Sequence, residues 1–331
     1  MKTNTTSSST LHSTPTTFPK HPRSEQEQPQ VDASPRVPAA GGRALVLGGG
    51  GSTGNAWLIG VVAGLFEAGL DATQAELIIG TSAGSTAAAQ ITGASPSQLY
   101  ADILAAEHRS PAAGPDRRPA PLRPTTEHLE RLQAIIAASA DAADLRRRKG
   151  AAALELAAAS DDSTRTRWRA TVAARLPHQH WPEQAVLITA VDADTGEPVV
   201  FDRHSGVELV DAVAASCAGT VAYRIGDSRY IDGGYRTNAE NADLAAGCAR
   251  VLVLSPFGGR SLTPVSWGTH LATQLDELRA GGSRVETIFP EGDSEHMFGA
   301  NAMDLSMRPA AARTGHRQGV ALAEQLTEFW R

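Results

Sequence analysis

The sequence predicts an α/β protein with a mostly parallel central sheet flanked by helices. Three observations carry that prediction. Apolar runs at residues 44–47 and 76–79 each pass through glycine into a helical pattern. That strand–helix–strand–helix order requires crossovers, and hence parallel strands. After a long helical stretch, apolar runs closed by turn residues resume at residue 185 and continue to residue 290.

Each element has a local cause. Residues 44–47 are an apolar strand, followed by four glycines and a helix from about Ser52 to Ala68, with Gly69 as its cap. Residues 76–79 form the second strand and 82–91 a small-residue helix. From about residue 96 to 175, alanine, leucine and charged residues dominate, and strands give way to helices; this stretch reads as a helical insertion. Within it, "RRRK" at 146–149 reads as a solvated helix end. Residues 185–201 are two apolar runs around Asp194-Thr195-Gly196, a hairpin signal. "VELVDAVAASCA" is an amphipathic helix, "RIGDSRYIDGG" a short hairpin, and "RVLVLSP" and "RVETIFP" late strands. A helix over about 310–329 ends the fold.

Composition excludes several function classes. The chain has 331 residues and is 41% apolar, enough for one large core. A net charge of −6 and 5% aromatic content give no case for nucleic acid as a partner. The basic residues are almost all arginine, with lysine only at Lys2, Lys20 and Lys149, which fits a GC-rich bacterial genome. Two cysteines, Cys217 and Cys248, are too few for a disulfide framework and read as reduced thiols. The most apolar uncharged run, "NAWLIGVVAGLF", falls well short of the roughly 20 residues a bilayer requires. With no signal-peptide core at the N-terminus, the expected location is the cytoplasm. Residues 1–41, rich in Ser, Thr and Pro, read as a disordered tail, and 42–331 as the folded domain carrying the insertion.

Chemistry concentrates in three places. Gly80-Thr81-Ser82-Ala83-Gly84 is a G-x-S-x-G pentapeptide between strand and helix, the setting of a nucleophile elbow. A serine N-cap on a tightly packed helix would give the same letters. "GGGGSTGN" at 48–55 satisfies G-x-G-x-x-G, but the next strand ends in Gly80-Thr81-Ser82 rather than in the acid a dinucleotide fold needs. Asn55 stands where a P-loop needs lysine. An oxyanion hole fits better, because adjacent parallel strands would set this loop beside the elbow. The proton acceptor is open on these grounds. His270, His296 and His316 lie downstream in no distinctive pattern, and Asp232 in "YIDGGYRTN" looks like an ordinary turn aspartate.

Taken in order, "GGGGSTG", "GTSAG" and "DGG" resemble the patatin-like phospholipase family, over roughly residues 43–240. The resemblance implies a three-layer α/β/α fold and a serine acyl hydrolase that cleaves lipid esters through a Ser-Asp dyad. Ser82 would be the nucleophile and Asp232 its base. Gly49, Gly50 and Gly51 would form the oxyanion hole, with Gly54, Gly80, Gly84, Gly233 and Gly234 shaping the turns. The implied partners are an acyl-lipid or ester substrate and a transiently contacted membrane surface, with no cofactor and no metal. No His/Cys cluster has zinc spacing, and no acidic loop has the calcium pattern. Bacterial members often carry a basic residue where this chain has Thr53, so the loop brings no cation of its own for an anionic head group. The alternatives are a Ser-His-Asp esterase, using one of the three histidines, and a non-catalytic acyl-lipid-binding protein of the same fold.

Overall fold

The computed structural model describes residues 1, 32–33, 41–109 and 125–331. Most of the expected disordered tail, and residues 110–124 of the helical stretch, lie outside them. Eight strands form one sheet: β1 (Arg43–Leu47), β2 (Leu77–Gly80), β3 (Ala185–Asp192), β4 (Pro198–Phe201), β5 (Tyr223–Ile225), β6 (Ser228–Asp232), β7 (Arg250–Leu254) and β8 (Arg284–Ile288). Their order is β5-β6-β3-β2-β1-β7-β8, with β4 paired to β3. Strands β3, β2, β1, β7 and β8 run parallel; β4 and β6 each pair antiparallel with β3, and β5 pairs antiparallel with β6. The sheet is mixed, with the parallel strands at its centre.

The central strands are apolar at nearly every position because both faces are covered. Side chains alternate between faces. Leu45, Leu47, Ile78, Ile188, Leu252 and Leu254 share one core with α1 (Gly51–Glu67), α2 (Ala83–Ile91), α7 (Leu209–Ser216) and α9 (Arg308–Trp330). Ala44, Val46, Leu77, Ile79, Val251 and Val253 form another with α8 (Leu271–Ala280) and the turn at Ala242–Ala245. The fold is thus a three-layer α/β/α sandwich. Among the described residues, four helices lie between α2 and β3: α3 (Pro96–Arg109), α4 (Thr125–Ala138), α5 (Ala142–Ala158) and α6 (Asp162–Ala173).

Helices α1 and α9 lie backbone against backbone. A Cβ at Gly60 would overlap the Ala312 carbonyl, and one at Gly64 the His316 carbonyl. Gly315 and Gly319 stand in the same relation to the carbonyls of Trp57 and Val61. Spacing of four residues puts each pair on one helix face.

Two expectations need correction. Asp32 and Ala33 belong to the segment read as disordered, yet they are seated on β4. The Ala33 N–H donates to the Val200 carbonyl at 2.8 Å, and the Asp32 carboxylate accepts from the Val200 N–H at 3.2 Å. An open sheet edge leaves main-chain groups that favour such a cover. The "RRRK" run is not a solvated helix end. It lies in the first half of α5, where Arg146 and Lys149, three residues apart, share an inward face. Arg146 donates to the Gly196 and Arg236 carbonyls, and Lys149 is buried. Cys217 and Cys248 are both free thiols.

Candidate active site

The site forms at the carboxyl ends of β1 and β2, the edge where open α/β sheets bind ligands. β1 leads into the glycine loop and β2 into the pentapeptide. Ser82 caps α2 with φ 53° and ψ −114°, a left-handed conformation that a non-glycine residue adopts only when its surroundings enforce it. The enforcement is visible. The Ser82 N–H donates to Ser216 Oγ at 2.9 Å. The Ser82 carbonyl accepts from Ser85 Oγ at 2.6 Å and from the Cys217 thiol at 3.1 Å. Burial pushes that thiol up to about 11, so it stays protonated and able to donate.

The flanking glycines are required by contact. A Cβ at Gly84 would overlap the Leu47 carbonyl, and one at Gly80 would fall 2.7 Å from Ser85 Cα. Gly233 has no room because Thr189 lies against it. Gly54 packs on Pro256, and Gly234 donates to Asp232.

Ser82 Oγ donates to Asp232 Oδ2 at 2.8 Å, and the Gly234 N–H donates to Asp232 Oδ1 at 2.8 Å. β6 places this aspartate: it ends at Asp232, which pairs with Ala190 of β3, next to the strand that carries the elbow. Desolvation raises the Asp232 carboxyl to about 6. The Gly234 amide, the Ser82 hydroxyl and the positive charge of Lys149 oppose the rise. Lys149 sits 5.0 Å from the Tyr235 ring centre, and burial pulls its ammonium below the usual lysine range. The same burial, with the Asp232 charge, pushes the Tyr235 phenol up.

The glycine loop lies beside Ser82; a Cβ on Gly49 would be 3.5 Å from Ser82 Cβ. Its three expected donors are not equivalent. The Gly49 N–H is already donated to the Ala239 carbonyl at 2.7 Å, which removes it as an oxyanion donor. The N–H groups of Gly50 and Gly51 have no acceptor among the described residues, nor does that of Ala83. Gly51, at φ 63°, lies in the left-handed region that favours glycine. Gly51, Ser82, Ala83 and Asp232 line one cavity of about 850 Å³. A second cavity of about 510 Å³ adjoins it through Trp168, Cys217, Gly219 and Thr220, and is walled in part by Leu154, Ala157, Val221 and Ala222. Thr53 turns away from both, its hydroxyl donating to the Met297 carbonyl at 2.9 Å and its N–H to the Ala302 carbonyl.

None of the histidines considered above lines either cavity. His270 Nε2 lies 2.8 Å from the Thr263 carbonyl, and His296 Nδ1 3.0 Å from the Asp293 carbonyl. His316 pairs with Glu67 and stacks on Tyr100. The Ser-His-Asp arrangement therefore finds no base near Ser82 among the described residues. No trio of His, Cys, Asp or Glu with metal-binding proximity occurs among them either, and no helix is long and apolar enough to cross a membrane.

Sequence reasoning missed several residues that build the site. Asn241 donates through Nδ2 to Thr81 Oγ1 at 3.0 Å and to the Gly233 carbonyl at 2.9 Å, which joins the turn before Ser82 to the turn after Asp232. It does so from a left-handed backbone, φ 55°. Ser216, Lys149 and Arg308 were also missed. Asn241 follows the Asp-Gly-Gly turn closely, and Lys149 is one of three lysines, so both had a faint signal; Ser216 and Arg308 had none.

The patatin-like phospholipase family model matches residues 45–245, a span that holds the glycine loop, Ser82 and Asp232. Among solved structures, VipD from Legionella pneumophila is similar, at 13% identity and a TM-score of 0.39, over 87% of this chain and 67% of that one. No curated protein matches the chain.

Proposed function

The chain belongs to the patatin-like phospholipase family, a family of lipid acyl hydrolases, and on that premise we propose that it cleaves carboxylic esters of lipids with Ser82 as nucleophile and Asp232 as base. The observation that carries this reading is the 2.8 Å hydrogen bond from Ser82 Oγ to Asp232 Oδ2, made by a serine held at φ 53°.

Ser82 Oγ attacks the ester carbonyl carbon while its proton passes to Asp232 Oδ2. The carbonyl oxygen becomes an oxyanion, within reach of the free N–H groups of Gly51 and Ala83, with Gly50 adjoining. These donors sit at the N-termini of α1 and α2, whose dipoles favour negative charge. Collapse of the intermediate breaks the ester C–O bond, and Asp232 returns its proton to the leaving alkoxide. Water then attacks the acyl-enzyme, giving its proton to Asp232, and Ser82 recovers a proton as the fatty acid departs. The apolar wall of the smaller cavity suits the acyl chain. Asp232 suits both roles, since a group near 6 is a carboxylate at neutral pH yet basic enough to take a proton.

The test is hydrolysis of a p-nitrophenyl ester series by wild type, Ser82→Ala and Asp232→Asn, each checked for folding. Loss in both variants is expected. Activity that survives Asp232→Asn but not Ser82→Ala would refute the dyad.

A further inference from the structure

The two cavities meet at four residues: Trp168 from α6, and Cys217, Gly219 and Thr220 from the chain that follows α7. Trp168 is the one large side chain of the four, so it sets the width of the opening. The opening lies against the reacting groups. The Cys217 thiol donates to the Ser82 carbonyl, and a Cβ on Gly219 would stand 3.7 Å from Asp232 Oδ2. Trp168 is also anchored. Its Nε1 donates to the Ala214 carbonyl at 3.1 Å, and the Arg175 guanidinium lies over its ring, 5.8 Å from the centre. The next residue, Arg169, pairs with Asp211 of α7 at 3.0 Å. An indole held in this way keeps the opening at one gauge.

Beyond the opening, the smaller cavity runs along α6 from Trp168 towards the helix start. Leu154, Ala157, Val221 and Ala222 give it apolar wall. At its outer end Asp162 of α6 and Arg224 of β5, both exposed, pair at 3.5 Å. Trp168 stands six positions after Asp162, about 9 Å along the helix axis. That length takes roughly seven carbons of an extended chain, whose bonds of ~1.5 Å run in a zigzag. The larger cavity offers a hydrocarbon less beside the dyad. Arg131, Arg175 and Arg308 line it, and Arg308 donates to the Ser52 carbonyl at 2.7 Å and to Asn55 Oδ1 at 3.1 Å. Apolar burial therefore draws an acyl chain past Trp168.

We propose that Trp168 determines acyl specificity: it admits unbranched chains to the smaller cavity and turns away chains branched close to the carbonyl. The proposal rests on the hydrolase reading of Ser82. Because the opening adjoins the dyad, a branch on the first carbons meets the indole before the carbonyl carbon reaches Ser82 Oγ. A straight chain passes and gains burial until it reaches the exposed Asp162–Arg224 pair, beyond which further carbons return to water.

The experiment compares kcat/KM for two isomeric esters, p-nitrophenyl hexanoate and p-nitrophenyl 3,3-dimethylbutanoate. Each value is divided by the ester's own rate of hydrolysis by hydroxide, which removes the intrinsic effect of branching. Wild type is expected to prefer the straight chain by about tenfold or more. The preference should fall about tenfold in Trp168→Ala and by less in Trp168→Phe, which keeps a ring but loses the N–H. The ratio is read within each variant, so a loss of folded protein does not imitate the result. No preference in wild type, or a ratio that Trp168→Ala and Trp168→Phe leave unchanged, overturns the proposal. A straight-chain series from acetate to dodecanoate, in one detergent, then follows the path of the chain. In wild type kcat/KM should rise by up to about fourfold per methylene and level off near ten carbons, roughly seven of them beyond the opening. Val221→Trp fills the smaller cavity and should level the series several carbons sooner; a series it does not alter would show that the chain lies elsewhere and refute the role of Trp168. Ester hydrolysis that persists in Ser82→Ala would instead sink the hydrolase reading, a separate outcome.

Discussion

Replacing Asp232 by Asn should abolish ester hydrolysis and make the protein more stable. The carboxyl titrates at about 6 in the folded protein against 3.8 for an ordinary aspartate, and burial is the main cause. The folded pKa is the higher one, so the folded state prefers the neutral form. Any stability this group contributes is present in full below 3.8 and is lost as pH rises through about 6. The difference of about two units corresponds to a cost on the order of 3 kcal/mol at neutral pH and above. Asn is close to isosteric and uncharged; its amide oxygen can still accept from Gly234, and its NH₂ can face Ser82 Oγ. Urea denaturation of wild type and Asp232→Asn at a series of pH values from 4 to 8 measures the difference. The variant should gain roughly 3 kcal/mol at pH 7 to 8, with the gain shrinking towards nothing near pH 4. Equal stability at pH 7, or a gain that does not change with pH, would refute the claim that a buried carboxylate is held ionised there at a cost to the fold.

Three further outcomes follow from the same geometry. The acid limb of kcat/KM on a p-nitrophenyl ester should have its midpoint near 6, so activity at pH 5 should be about a tenth of the plateau; because Lys149 lowers the Asp232 pKa, Lys149→Met should move that limb to higher pH, and an unmoved limb would show that the lysine does not act on the base. Gly84→Ala forces a Cβ into the Leu47 carbonyl, so it should cost about 3 kcal/mol or prevent folding, as read by the urea midpoint.

The residues legible in the sequence are those whose role is written in their immediate neighbours. A serine between two glycines at a strand–helix junction, an aspartate before two glycines, and a run of four glycines each mark a local backbone need. So do the strands, whose apolar runs follow from burial on both faces. Ser216, Asn241, Lys149 and Arg308 act across the fold, on partners that lie far away in sequence or reach them from another element. Ser216 steadies a backbone N–H 134 residues away, and Arg308 reaches a loop 256 residues earlier. No local pattern encodes such contacts. The misreading of "RRRK" has the same origin, because charge density says a run is solvated, whereas helical phase and tertiary packing turn two of its four residues inward. The Gly49 amide failed as a donor for a similar reason, since the Ala239 carbonyl that takes it comes from beyond β6.

The glycine seam between α1 and α9 acts as a ratchet for the whole site. Each glycine on one helix faces a carbonyl on the other, so α9 cannot slide along α1 by a fraction of a turn, and a slide of a full turn, about 5.4 Å, would set Ala311 or Ala323 where a glycine now meets a carbonyl. Arg308 sits two turns before Gly315 on the same rigid rod, so its placement over the loop is indexed by contacts that contain no side chain and touch no substrate. One residue inserted between them would leave the seam engaged and swing the guanidinium by about 100° around the helix. The direction in which the arginine points is therefore set by counting along α9, not by anything at the cavity itself.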